Sequence, residues 1–128
     1  MQQRVLIATA LAYRRRWYLD VLKPPRFQVE TAASGIECVA LIPRFRPEVL
    51  LLESYLLWGG CDGVLAVCED EKLLKSMSVI VVDVRNDSDQ TYRIGAYPLA
   101  DYWRRYPTAE ELRDTLQGVG ALIVAGSV

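Results

Sequence analysis

Residues 47–53 read Pro47-Glu48-Val49-Leu50-Leu51-Leu52-Glu53, and residues 78–83 read Ser78-Val79-Ile80-Val81-Val82-Asp83. Each is an unbroken apolar run that ends in a carboxylate. A strand with one wet face alternates apolar and polar residues, so a continuous run marks a strand covered on both faces, as in a parallel sheet. Working outward, three further short stretches rich in β-branched or aromatic residues appear: Arg4–Ala8, Phe27–Thr31 and Leu99–Trp103. Between the five lie segments with helical spacing. Leu11 to Leu22 places Leu11, Arg15, Tyr18 and Leu22 along one side. Gly35–Phe45 offers Ile36, Val39, Ala40 and Ile42, and Asp62–Met77 offers Val64, Leu65, Val67, Cys68, Leu73 and Leu74. Ser88–Tyr97 is a weaker helix, and Thr108 opens the last one as an N-cap three residues before Glu111, a capping box. Strand alternating with helix five times predicts an α/β fold, a (βα)5 doubly wound, flavodoxin-like parallel sheet in the order 2-1-3-4-5. In such sheets the site lies beyond the carboxyl ends of the strands. That points to Ala8–Ala10, Glu53–Tyr55, Asp83–Arg85 and Trp103–Arg105.

Composition narrows the function. The chain has 128 residues, 52% hydrophobic and 24% charged, with a net charge of −1. This is one globular domain with no global field to attract nucleic acid or an anionic membrane. No apolar run approaches the roughly 20 residues of a membrane helix, and no secretory signal is visible. Histidine is absent, which removes Ser/His and Cys/His pairs and His metal ligands. Three cysteines, Cys38, Cys61 and Cys68, lack metal spacing and read as free core thiols suited to a reducing cytoplasm. Residues 1–119 form the expected domain; 120–128, small and apolar, either extend the last helix or begin a linker, and whether an output domain follows Val128 is open.

The run from Pro47 to Glu53, followed by Trp58-Gly-Gly-Cys-Asp-Gly63, resembles the receiver domain of bacterial response regulators. There a Pro-Asp-apolar strand ends in the phosphoacceptor Asp and a Pro-Gly-x-Asp-Gly turn opens the third helix. Val5-Leu-Ile-Ala-Thr-Ala10 with Arg14-Arg15 is similar to that family's first strand and helix. Val79 to Asp83 resembles its fourth strand, and Asp101-Tyr-Trp-Arg-Arg-Tyr-Pro107 its fifth. The thirty positions from Glu53 to Asp83 and the twenty-two from Asp83 to Arg105 fit the family's distances.

The resemblance implies a signalling module of the two-component phosphorelay type, not an enzyme, but with its phosphorylation chemistry altered. Glu53 stands at the phosphoacceptor, Thr9 and Ala10 at the acidic pair that helps to hold Mg²⁺, Asp83 at the Thr/Ser position, Arg105 at the Lys, and Tyr102 at the switch aromatic. Phosphoryl transfer needs a metal to neutralise developing charge. Glu53 with Asp83 or Asp62 is a poor octahedral donor set. No cofactor, no metal and no phosphoryl donor are therefore expected, and the chain reads as a pseudo-receiver. Glu53, Asp83 and Arg105 at adjacent strand ends either form an internal ion pair that replaces phosphate as the organiser of the loops, or point outward as solvated charges. Whether Glu53 acts as a phosphomimic or as a structural ion-pair partner stays open. Tyr92, Tyr97, Trp103 and Tyr106, with Tyr102, cluster on the face of the fourth helix, fifth strand and fifth helix. That is the face receivers use for homodimers and protein partners, and Tyr and Trp are favoured anchors there. Part of this set is core, and the sequence does not say whether Tyr102 or Trp103 faces inward. Arg14-Arg15-Arg16 before Trp17-Tyr18 reads as a solvated helix face, not a nucleic-acid patch. The alternative function is a small flavodoxin-like enzyme or ligand-binding domain using Glu53, Asp62 and Asp83.

Overall fold

A computed structural model describes residues 2–85 and 87–126. Five strands, β1 (Gln3–Ala8), β2 (Phe27–Ala32), β3 (Val49–Glu53), β4 (Ser78–Val82) and β5 (Asp101–Trp103), form one parallel sheet in the order β2-β1-β3-β4-β5. Five helices connect and follow them: α1 (Ala12–Val21), α2 (Gly35–Phe45), α3 (Gly60–Asp70), α4 (Ser88–Ile94) and α5 (Ala109–Gly126). The expected α/β architecture and strand order are those observed.

The apolar runs are buried on both faces because alternate residues feed two separate cores. Leu50, Leu52, Val79 and Val81 join Cys38, Ile42, Val64, Leu65 and Ile94 under α2, α3 and α4. Val49, Leu51, Ile80 and Val82 join Tyr18, Leu22, Leu112 and Leu116 under α1 and α5. Register sets which side chains become neighbours: Leu50 lies opposite Val79, Glu53 opposite Val82, and Val81 opposite Tyr102.

Two helices are shorter than the spacing predicts. The third ends at Asp70 rather than Met77, with Lys72 in the left-handed region at φ 58° and a single 3-10 turn over Leu73–Lys75. Glu69, Asp70 and Glu71 crowd acids onto the negative end of the helix dipole, which disfavours further helix. Leu73 and Leu74 still pack on the core, but from the turn. The fourth stops at Ile94, before Gly95. The capping box forms: Thr108 Oγ1 accepts from the Glu111 N–H at 3.1 Å, and Glu111 Oε1 accepts from the Thr108 N–H at 2.9 Å. α5 continues past residue 119 to Gly126, the helix extension that was one of the two readings of this segment. Residues 127 and 128 lie outside the described residues.

Candidate functional site at the strand ends

Sheet parity decides what the two strand-end carboxylates meet. Glu53 follows Val49 and Leu51 on the α1/α5 face, whereas Asp83 follows Val79 and Val81 on the α2/α3/α4 face. They terminate neighbouring strands yet project to opposite sides, so they do not form the single converging cluster that the sequence suggests.

On the first face Glu53 is fully buried, with Arg14 of α1 beside it at 7% exposure. Arg14 Nε donates to Glu53 Oε2 at 2.9 Å, and the Tyr18 hydroxyl donates to the same oxygen at 2.5 Å. Arg14 Nη2 in turn donates to the Tyr18 hydroxyl at 3.3 Å. The guanidinium sits among aromatic faces, with Cζ 3.9 Å from the Tyr106 ring centroid, 4.6 Å from that of Trp17 and 5.0 Å from that of Tyr18. Burial works against the charge of Arg14, but the Glu53 carboxylate and Tyr18 outweigh it and leave the guanidinium pKa raised. Burial first, and then the Glu53 charge, push the Tyr18 phenol far above its ordinary range. The same two causes hold Tyr106 at about 12.

On the second face Asp83, 1% exposed, has hydroxyl partners among the described residues. Its Oδ2 accepts a short hydrogen bond from the Tyr102 hydroxyl and faces Thr91 Oγ1 of α4 at 3.0 Å. Burial and this bond raise the Tyr102 pKa. Tyr102 thus turns to the α3/α4 core, while Trp103, one residue on, packs against the α1/α5 core. Glu53 Oε1 and Asp83 Oδ1 are buried and have no hydrogen-bond partner among the described residues.

An internal ion pair exists, then, but its cation is Arg14, not Arg105. Arg105 is exposed and grips Glu111, Nη1 to Oε1 at 2.7 Å and Nη2 to Oε2 at 2.5 Å. It follows β5 in an open loop next to the capping box, where Glu111 is the nearer anion. The reading of residues 14–16 as a wholly solvated face is corrected too. Arg14 turns inward, and Arg15 Nη1 donates to the Thr9 carbonyl at 2.8 Å. Apolar spacing puts Arg15 on the stripe of Leu11, Tyr18 and Leu22, but it is Arg14, four residues before Tyr18, that turns in, and a buried arginine needs a buried anion.

The residues present do not fit a divalent cation. Thr9 and Ala10 bring no carboxylate, Asp83 faces the other side of the sheet, and the charge of Glu53 is already met by a guanidinium. Asp62, the third acid of the alternative reading, pairs with Arg93 at 2.8 Å. No group of three acidic, Cys or His side chains among the described residues is placed to hold a metal. Cys38, Cys61 and Cys68 are free and buried, and burial raises all three thiols, Cys38 to about 12 and Cys68 to about 11. Tyr92 is 85% exposed, while Tyr97, Trp103 and Tyr106 are half-buried.

The sequence matches no protein-family model, and no curated protein matches it. Solved structures do match. The chemotaxis protein CheY4 of Vibrio cholerae superposes with a TM-score of 0.80 at 18% identity, over 93% of this chain and 99% of that one. A CheY-like response regulator receiver domain protein from Methanospirillum hungatei gives 0.81 at 18% identity, over 92% and 93%. A LuxR-family DNA-binding response regulator from Staphylococcus aureus gives 0.76 at 21% identity, over 91% and 98%. The chain has the receiver-domain fold. Within that fold, Glu53 closes the third strand and the Arg14–Tyr18 pair occupies the first helix facing it.

Proposed function

We propose that this chain is a receiver-like module of bacterial two-component signalling that is not phosphorylated and acts in the cytoplasm through protein–protein contact. The observation that carries this reading is the buried Arg14–Glu53–Tyr18 cluster. In a receiver fold the end of the third strand is where a carboxylate meets metal and phosphoryl group. Here that carboxylate is enclosed, bonded to an internal cation, and supported by no second acid on β1. The guanidinium supplies in a fixed form the positive charge that a metal would bring, so Glu53 serves as an ion-pair partner and not as an acceptor. On the other face Asp83, in place of a hydroxyl residue, holds Tyr102 through a short, part-buried hydrogen bond. Loop organisation is thereby built in rather than switched by phosphate.

The exposed Tyr92 with the half-buried Tyr97, Trp103 and Tyr106 makes the α4-β5-α5 face the contact surface for a protein partner or a second copy. Nucleic acid is disfavoured because Arg14 is withdrawn from the basic run. Among the described residues no helix is long and apolar enough to cross a membrane. The test is intact-mass analysis and Mg²⁺ titration with acetyl phosphate as donor. No adduct and no Mg²⁺-dependent tryptophan signal are expected; a labile phosphoryl adduct or tight Mg²⁺ binding would overturn the proposal.

A further inference from the structure

The groove between α2 and α3 lies away from the face proposed above. Three large apolar side chains stand out of the fold beside it: Trp58 at 71%, Ile36 at 67% and Leu57 at 63% exposure. Their exposure is enforced. The Gly35 N–H donates to the Leu57 carbonyl at 2.8 Å, and Ser34 pairs with Leu57 as an isolated parallel bridge. A side chain at Gly35 would meet the Trp58 carbonyl at 2.2 Å, so the loop backbone rests directly on α2. Trp58, Gly59 and Gly60 follow in the left-handed region at φ 59°, 101° and 62°. For a tryptophan this backbone is strained, and it is kept in a conformation that turns its ring to solvent instead of burying it.

The floor is shaped for close approach. A methyl group built at Gly63 or Gly59 would meet nothing within 4 Å, so another backbone can come down between the two helices. Val39, Val64 and Val67 complete an apolar lining. Segments 33–45 and 57–71, which include all of α2 and α3, contain five carboxylates, Glu37, Asp62, Glu69, Asp70 and Glu71, against one basic residue, Arg44. Asp62 is paired with Arg93. Asp70 and Glu71 follow Val67 at spacings of three and four, so they continue its stripe along α3.

We propose that the α2/α3 groove is a second docking surface whose occupant is an amphipathic helix with Lys or Arg flanking its apolar face. An apolar floor with a border in which carboxylates outnumber basic residues complements such a helix. A second copy is disfavoured, because a two-fold contact through this face would set acid against acid.

The probe is a designed helical peptide with a leucine face flanked by lysines, compared with its glutamate counterpart and titrated into the isotopically labelled chain. The lysine peptide should shift the amides of Gly35, Ile36, Gly63 and Val67 and the Trp58 indole. It should bind about tenfold tighter than the glutamate peptide, with the gap closing as salt rises. Changing the exposed pair Ile36→Lys and Val67→Lys should abolish binding, while Tyr92→Ala, on the other face, should leave it unchanged. Equal affinity for the two peptides, no binding, shifts confined to other faces, or a concentration-dependent dimer through these residues in sedimentation would each overturn the proposal. None of these outcomes bears on phosphorylation at Glu53.

Discussion

Glu53 and Asp83 end adjacent strands of one sheet and are both removed from water, yet the two faces stabilise them by different means. Glu53 receives a full positive charge, Arg14, enclosed by Trp17, Tyr18 and Tyr106. Asp83 receives two hydroxyls, from Tyr102 and Thr91, as its hydrogen-bond partners among the described residues. A buried charge costs several kcal/mol unless it is paired and bonded. The first solution meets that cost with an opposite charge, which then cannot be removed without orphaning its partner. The second spreads it over dipoles that are individually replaceable. It also ties the carboxylate to α4 and β5, the elements of the proposed contact face. One carboxylate anchors the first helix, and the other sets the orientation of a half-buried tyrosine.

The sharpest way to break this comparison is to remove the cation. Arg14→Ala should lower stability by about 3–5 kcal/mol in denaturant titration, because Glu53 is left charged and buried. Adding Glu53→Gln should recover part of that loss, and a double-mutant cycle measures the coupling. A cost for Arg14→Ala near about 1 kcal/mol would show that Arg14 contributes packing only. The Asp83 face should respond more mildly. Tyr102→Phe deletes a hydrogen bond to a charged acceptor and should cost about 1.5–3 kcal/mol, and Thr91→Val about 1 kcal/mol. Should Tyr102→Phe prove as costly as Arg14→Ala, the distinction between charge and dipole would fail.

Alkaline titration sharpens the contrast. Tyr106 is raised to about 12 from an ordinary 10.0 by burial and then by the charge of Glu53. A raised pKa means the folded state favours the neutral phenol, so its contribution is complete below pH 10 and is lost as pH rises towards about 12. Phenolate absorbance should show this late step, and Tyr106→Phe should remove it. Under Arg14→Ala the step should move later still, because the guanidinium is the group that favours the phenolate.

The sheet was legible because its evidence is local. Four apolar residues in a row at 49–52 and again at 79–82 state that both faces are covered, and the helices between dictate parallel strands. Counting by twos places Glu53 with Leu51 and Asp83 with Val81. What does not follow from either strand alone is the register, Glu53 opposite Val82, which sends the two acids to different sides. The cation was missed for a related reason: Arg14 and Glu53 are 39 positions apart, and their contact depends on how α1 lies on the sheet. Spacing sets both Arg14 and Arg15 beside the stripe of Leu11, Tyr18 and Leu22, and only the packing of α1 decides that Arg14 is the one withdrawn from water. Arg105 misled in the opposite way. The resemblance made it the partner of the strand-end acids, but the capping box had already placed Glu111 within its reach. Lys72 and the acids before it show the same limit, since chain reversal after Asp70 rests on a left-handed residue that apolar spacing does not reveal.

The smallest effect should come from the pair that looks most like Arg14–Glu53 on paper. Arg105 and Glu111 also form an arginine–carboxylate bridge, with two hydrogen bonds where Arg14 makes one, but their side chains are 65% and 39% exposed against 8% and 0% for the buried pair. The Arg105 bonds, followed by the Thr108 N–H, hold the Glu111 carboxyl at about 2, below its ordinary 4.5. A lowered pKa means the folded state favours the anion, so this contribution is present above pH 4.5 and is lost as pH falls towards about 2. Water and salt screen an exposed pair, and ordering two long side chains offsets much of what remains. Glu111→Gln should therefore lower the thermal midpoint only slightly at neutral pH. That difference should shrink in high salt and vanish at the acid end, whereas the Arg14→Ala deficit should persist in high salt. A Glu111→Gln loss larger than that of Tyr102→Phe would mean that exposure does not separate these bridges, and the contrast between the two sheet faces would have to rest on geometry alone.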